Sequence, residues 1–194
     1  SRRQRQMCIR DSAKTAGGTG LATGEVTWRD ALRWRGDLKL ENLDVAAFAP
    51  SVKAVLSGNS RTSGRIDKKG WAVELPAFDI RGTIEDAPLS VHGAATAQSP
   101  MKVYVPDVSV SLDDNTLTAR AMLDGTRIKA DIKVDAPDLG KNIRELAGRA
   151  SGFVTIGGTL DAPVAKADLS ATGLRLGESA SLDALMLKGD ISAK

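Results

Sequence analysis

Between Val108 and Val134 the chain reads "VSVSLDDNTLTARAMLDGTRIKADIKV". Apolar residues fall on every second position, the pattern of a strand with one covered face. Two short polar interruptions break the run. Asp124-Gly125 is a two-residue hairpin signal, because a type I′ turn needs positive φ at both central residues. A turn there sets Leu123 against Thr126, Ala121 against Ile128, Ala119 against Ala130 and Leu117 against Ile132. The alternate pairs, Arg120 with Lys129 and Thr118 with Asp131, are polar. A second turn at Asp114-Asn115 sets Leu112 against Leu117, Val110 against Ala119 and Val108 against Ala121. Three strands then share one apolar face: Val108, Val110, Leu112, Leu117, Ala119, Ala121, Ile128, Ala130, Ile132 and Val134. A slip by one residue would send every one of them to the other side.

The same texture runs outward in both directions. "GWAVELPAFDIRGTI" offers Trp71, Val73 and Leu75, then Phe78, Ile80 and Ile84. "GFVTIGG" offers Val154 and Ile156, and "AKADLSATGLRLG" offers Ala167 and Leu169. About 13 strands at roughly ten-residue spacing point to an all-β sandwich, barrel or long open sheet. "NLDVAAFAPSVKAVLSG" and "PDLGKNIRELAGRASG" break the period-2 pattern. They read as short helices with Asp44 and Asp138 as N-caps and a Ser-Gly terminating each. Pro50 limits the first to about a turn either side.

Those two segments belong to an internal repeat. Residues 37–67 lie over 131–161 without gaps, which brings Asp37, Lys39, Asp44, Ser57, Gly58, Gly64 and Asp67 onto Asp131, Lys133, Asp138, Ser151, Gly152, Gly158 and Asp161. Each unit reads strand, short helix, strand, as in a solenoid-like array of β-units.

Residues 1–12, "SRRQRQMCIRDS", lack this texture and hold the single Cys, Cys8. They read as a non-native or disordered tail outside the fold, which leaves 13–194 as the β-segment. Four Arg and one Asp of the 27 basic and 24 acidic residues sit in that tail. Removing them leaves 23 of each sign, so the sequence pI of 9.1 gives no reason to expect a nucleic-acid partner. Apolar residues make up 42% and aromatic ones 4%, so large rings to plug a core are few. No 18-residue apolar run exists to cross a bilayer as a helix.

Chemistry-bearing residues are sparse. His92 is the only histidine, it sits on the polar side of its strand, and an exposed or structural role suits it. With one His and no Cys beyond the tail, no metal site is expected. The carboxylates Asp107, Asp113, Asp114, Asp124, Asp135 and Asp138 fall mostly at turns, where Asp bonds nearby backbone. No phosphate-binding glycine motif opens a helix. Trp28, Trp34 and Trp71 read first as packing residues. No catalytic residues and no cofactor are expected. What remains is the apolar face, either the inner wall of a sandwich or an exposed groove.

"GEVTWRDALRWRGDLKLENLDVAAF" and the run from "DIKVDAPDLGKNIRELAG" through "GTLDAPVAKADLSATGLRLG" to the end of the chain together resemble the TamB family of the AsmA-like superfamily. The match in texture spans roughly 17–194, and its most specific part is Gly158 to Arg175. The resemblance implies an elongated, curved antiparallel sheet, a β-taco with an open apolar groove and one or two short helices. It implies a periplasmic stretch of an inner-membrane-anchored protein, with the anchor at an N-terminus outside this stretch. It implies a TamA-like outer-membrane partner reached through other regions, and phospholipid carried between membranes. It brings no catalytic residues. On that expectation the groove lining comprises Val108, Val110, Leu112, Leu117, Ala119, Ala121, Ile128, Ala130, Ile132, Val134, Val154, Ile156 and Leu169. The alternative is a scaffold for outer-membrane protein and autotransporter assembly, binding client strands by β-augmentation.

Overall fold

The computed structural model describes residues 5–15, 17–141, 146–176 and 180–192. Among these residues, twelve antiparallel strands form one sheet in sequence order: β1 (Arg5–Thr15), β2 (Gly18–Trp28), β3 (Leu32–Asp44), β4 (Ala54–Asp67), β5 (Gly70–Ile84), β6 (Ala87–Gln98), β7 (Lys102–Leu112), β8 (Asn115–Asp124), β9 (Arg127–Ala136), β10 (Leu146–Gly158), β11 (Pro163–Leu176) and β12 (Ala180–Ser192). Each strand pairs only with its neighbours in sequence, so β1 and β12 are the edges and the sheet is open. Twelve strands at ~4.8 Å spacing make it roughly 50 Å across.

No second layer covers either face among the described residues. The accessible surface is 13658 Å², against about 8,800 Å² for a compact monomer of this mass. Among the described residues the buried apolar ones are Ala54, Ala130 and Ala136, and no large side chain is fully buried. A sandwich core would bury many. The open sheet therefore decides between the two architectures that the sequence left standing.

The opening stretch forms three strands with the expected face but a different register. Gly125-Thr126 is the observed turn, and Leu123 pairs with Ile128, Ala121 with Ala130, Ala119 with Ile132 and Leu117 with Val134. At the other hairpin the turn is Asp113-Asp114, with Leu112 opposite Asn115 and Val110 opposite Leu117. Both registers sit two residues from the expected ones. The physical reason lies in the polar rows. The observed register sets Arg120 opposite Asp131, an opposite-charge pair, where the expected one set Arg120 opposite Lys129. A slip of two leaves every side chain on its own face, so the apolar face survives the correction. Only Gly125 (φ 60°) carries positive φ in the first turn, and Asp113 (φ 51°) in the second. Both central positions are positive instead at Glu85-Asp86, the turn between β5 and β6 (φ 48° and 71°).

Two prolines bend the middle of the sheet. In β5, Leu75 pairs with Ala95 but Phe78 with Gly93, so Pro76-Ala77 oppose the single residue Ala94. In β7, Val105 pairs with Ala121 but Val108 with Ala119, so Pro106-Asp107 oppose Arg120. Each is a bulge, and each falls on the residue that has no N–H to give to a ladder. The extra residue also switches parity. Val103 and Val105 on one side of Pro106 thus share a face with Val108 and Val110 on the other. Register irregularities at the same level run through four successive ladders from β4 to β8. Bulged strands bend, so this line is a crease across the sheet near the midpoint of its strands.

The two expected helices are each a single 3-10 turn, Val45–Ala47 and Leu139–Lys141. Both N-caps are in place: Ala46 N–H donates to Asp44 Oδ1 (3.0 Å) and Gly140 N–H to Asp138 Oδ1 (3.1 Å). The Ser-Gly pairs do not end helices but lie inside β4 and β10. Pro50 stops helical continuation in the first unit, and the open edge of β3 draws Ala54 onward into pairing. Within the second expected helix, residues 142–145 lie outside the described residues. The repeat holds at the level of register. Leu40 pairs with Gly58 and Leu38 with Ser60, and the residues 94 further on pair alike, Val134 with Gly152 and Ile132 with Val154.

Most of the segment expected to stand outside the fold lies in β1, which pairs with β2 from Arg5↔Trp28 to Thr15↔Gly18. The backbone edge of β2 accepts a strand whatever its side chains, and the polar composition hid that pairing. Residues 1–4 lie outside the described residues.

Candidate functional site

Ladder pairing turns the apolar face into continuous rows that cross the strands. One row runs Leu40, Gly58, Ile80, Val91, Val110, Leu117, Val134, Gly152, Leu169, Leu187. The next runs Leu38, Ser60, Phe78, Gly93, Val108, Ala119, Ile132, Val154, Ala167. A third holds Val105, Ala121, Ala130, Ile156 and Ala165. Ile128 stands opposite Leu123 and Leu112 opposite Leu89. Every groove residue expected from the sequence therefore lies on this one face, and none of the three rows contains a charged residue.

The two faces differ in exposure as well as chemistry. On β8, Ala119, Ala121 and Leu123 are half-buried, while Thr118, Arg120 and Met122 are exposed. On β10, Val154 and Ile156 are half-buried, while Thr155 between them is exposed and Phe153 just before them is 59% exposed. On these strands the apolar face is the more covered of the two, and it is termed the inner face. Leu117 is the most open of the expected lining residues at 38% and Ala130 the least at 8%.

A hollow on the inner face lies over β2–β5, where the sequence reading assigned no lining residues. It measures about 500 Å³ and is bordered by Gly20, Ala22, Leu38, Leu40, Gly58, Ser60, Phe78 and Ile80. That volume falls in the ~300–1,000 Å³ range of small-molecule sites. Its origin is an alternation of size. Gly20 and Gly58 flank Leu40, and Ala22 and Ser60 flank Leu38. At Gly58 a Cβ would press on the Asp79 carbonyl and the Ile80 backbone, so glycine is needed as well as present. The signal was in the sequence, as glycines on the inner parity of successive strands.

Trp34 belongs to the packing reading. Its indole N–H donates to Thr62 Oγ1 (3.3 Å), and its ring covers Gly64, where any Cβ would collide with it. Trp28 and Trp71 differ, being 39% and 37% exposed at the strand ends.

The outer face carries the charge. Its ion pairs include Arg61–Asp37 (3.4 Å), Lys39–Glu41 (2.6 Å), Arg81–Asp79 (2.9 Å), Lys102–Asp124 (3.3 Å) and Lys188–Asp168 (3.7 Å). Exposed pairs of this kind contribute ~0–1 kcal/mol each, so they serve solubility and register more than stability. His92 is exposed on this face, opposite Asp79 and Ser109. The carboxyl of Asp67 is held below its ordinary range, first by the backbone N–H of Lys69 and also by Arg65. Among the described residues no three His, Cys, Asp or Glu side chains converge as a metal site would require.

The family described as "TamB, N-terminal domain" matches residues 9–194. A curated relative, the translocation and assembly module subunit TamB of Haemophilus influenzae, is 31% identical over 169 residues. The alignment takes in 87% of this chain and 13% of the relative, so the chain spans a small part of that protein's length. No solved structure matches.

Proposed function

The chain belongs to the TamB family, and from that premise we propose that its sheet is a segment of a non-enzymatic lipid conduit. Phospholipid acyl chains lie along the inner face, and head groups stay at the open side. The observation that carries this reading is the continuity of the apolar rows across the strands without a charged side chain. An acyl chain moving along such a surface meets the same environment at each strand, so no step is costly. A buried charge in its way would cost several kcal/mol.

The rows hold Ala, Val, Leu, Ile and Gly, which read chain length and not head-group identity. The conduit is therefore weakly selective among phospholipids. In this reading the parent protein is anchored in the inner membrane and extends through the periplasm. It meets a TamA-like outer-membrane partner through regions outside this chain, in support of outer-membrane biogenesis. The name of the relative, a subunit of a translocation and assembly module, agrees with that setting.

The test is site-specific photocrosslinking in the full-length parent protein. Probes at Val110 and Ile128 are expected to capture phospholipid, and probes at Thr118 and Arg120 on the outer face are not. Capture of client β-strands at the sheet edges, with no lipid at Val110 or Ile128, would favour the scaffold reading instead.

A further inference from the structure

One corner of the sheet has a composition that the groove does not explain. At the ends of β2–β5 the register forms a row of large apolar side chains, Trp28 to Leu32 to Ile66 to Trp71. Trp28 and Leu32 are each 39% exposed, Ile66 49% and Trp71 37%. The rest of the inner face is built mainly from small aliphatics, so the two exposed indoles stand apart. The β4–β5 turn just beyond this row carries the exposed pair Lys68-Lys69, and the β2–β3 turn carries Arg29 beside Asp30, both exposed. The nearby Asp67 carboxylate is engaged by the Lys69 N–H and by Arg65. The opposite ends of the strands are mainly acidic: the β5–β6 turn is Glu85-Asp86 and the β7–β8 turn is Asp113-Asp114, with Lys53 the cation beside Glu85.

From this juxtaposition we infer that the β2–β5 lip docks on an anionic phospholipid surface. Trp is favoured where one side of a ring is apolar and the other wet, as at the head-group level of a bilayer. An exposed apolar strip rimmed by charge marks an interaction surface. Cations just outside such a strip add attraction to anionic head groups. Charge complementarity favours this lip, because an anionic surface attracts Lys68 and Lys69, with Arg29 offset by Asp30, and repels the Glu85-Asp86 side. The inference does not require lipid inside the groove.

Vesicle binding tests it, with the chain mixed with liposomes of pure phosphatidylcholine or with one third phosphatidylglycerol. Binding to the anionic vesicles is expected to be at least tenfold stronger and to fall about tenfold with the Lys68→Glu/Lys69→Glu variant. Tryptophan emission should shift to the blue on binding, and Trp28→Ala/Trp71→Ala should abolish the shift. Glu85→Lys/Asp86→Lys at the far lip should bind at least as well as the parent, and circular dichroism checks that each variant keeps its sheet. Equal binding to neutral and anionic vesicles, or full binding by Lys68→Glu/Lys69→Glu, would overturn the inference. Loss of docking with lipid crosslinks retained at Val110 and Ile128 would separate this lip from the conduit. Docking with no crosslinks at those positions would leave the lip standing and remove the conduit.

Discussion

Truncating one inner-face side chain distinguishes an open groove from a packed core by its cost. Ile132→Ala removes three carbons from the middle of the second apolar row. Full burial of a CH₂ is worth about 0.8 kcal/mol, so a completely buried Ile132 would lose about 2.4 kcal/mol from transfer alone. A closed core adds a cavity term, which brings such substitutions to ~2–5 kcal/mol. Ile132 is only half-buried, and the face it stands on is open, so no sealed void forms. The expected loss is about 1 kcal/mol, read as a shift in the urea midpoint with an unchanged slope. Phe153→Ala on the outer face, removing a larger side chain that is 59% exposed, should cost about as little. Binding of acyl chains should raise the cost of Ile132→Ala and leave that of Phe153→Ala unchanged, because only the inner face becomes dry. A loss of 3 kcal/mol or more at Ile132 in lipid-free buffer would mean that another layer packs on this face, and the groove would be refuted.

Ile128→Arg or Leu117→Asp should block lipid flux while the protein is still made at normal levels, and flux at the parental rate in either variant would argue against a conduit. Deleting Pro76 should be far more disruptive than replacing an exposed residue, since it removes the β5 bulge and turns Phe78 and Ile80 to the outer face. The expected result is a loss of several kcal/mol in chemical unfolding, and a stability near that of the parent would show that the bulge does not set parity. The Asp67 carboxylate holds its turn only when ionised, because its folded-state pKa lies below the unfolded value. Its contribution is therefore complete above the ordinary carboxylate value of 3.8 and is lost as the pH falls through the lower, folded-state value. The Lys69 amide resonance should titrate with a midpoint below 3.8 and lose that titration in Asp67→Asn, and a midpoint above 3.8 would contradict the assignment.

What the sequence displayed and what it hid follow from the same periodicity. Alternation from Val108 to Val134 reports parity, and parity alone assigns faces. It is blind to a register slip of two, which is why both turns moved while Leu117, Ala119 and Ile132 stayed inside. The choice between the two registers rests on cross-strand charge, Arg120 against Asp131, and that pairing is visible only when strands are laid side by side. The 3-10 turns looked longer because "VAAFA" and "NIREL" have no strand alternation, yet backbone pairing on β3 and β9 claims the residues that follow. β1 was obscured for the converse reason, since pairing there rests on main-chain groups and leaves no apolar signature. The hollow over β2–β5 was written in glycines, which a search for apolar side chains passes over.

The strictly sequential strand order also governs how such a protein is made. Every ladder joins segments adjacent in the chain, so the loops to be closed are short and the closure entropy per strand is small and nearly constant. Each new strand has a ready template in the one before it, and assembly can proceed from the N-terminus as synthesis delivers the chain. Stability is then close to a sum of nearest-neighbour terms, as in repeat proteins. Duplicating a two-strand unit, as the matched registers of β3–β4 and β9–β10 exemplify, lengthens the sheet by about 9.6 Å without creating a new long-range contact. The span of the structure can thus be adjusted in steps by gene duplication while its cross-section stays the same.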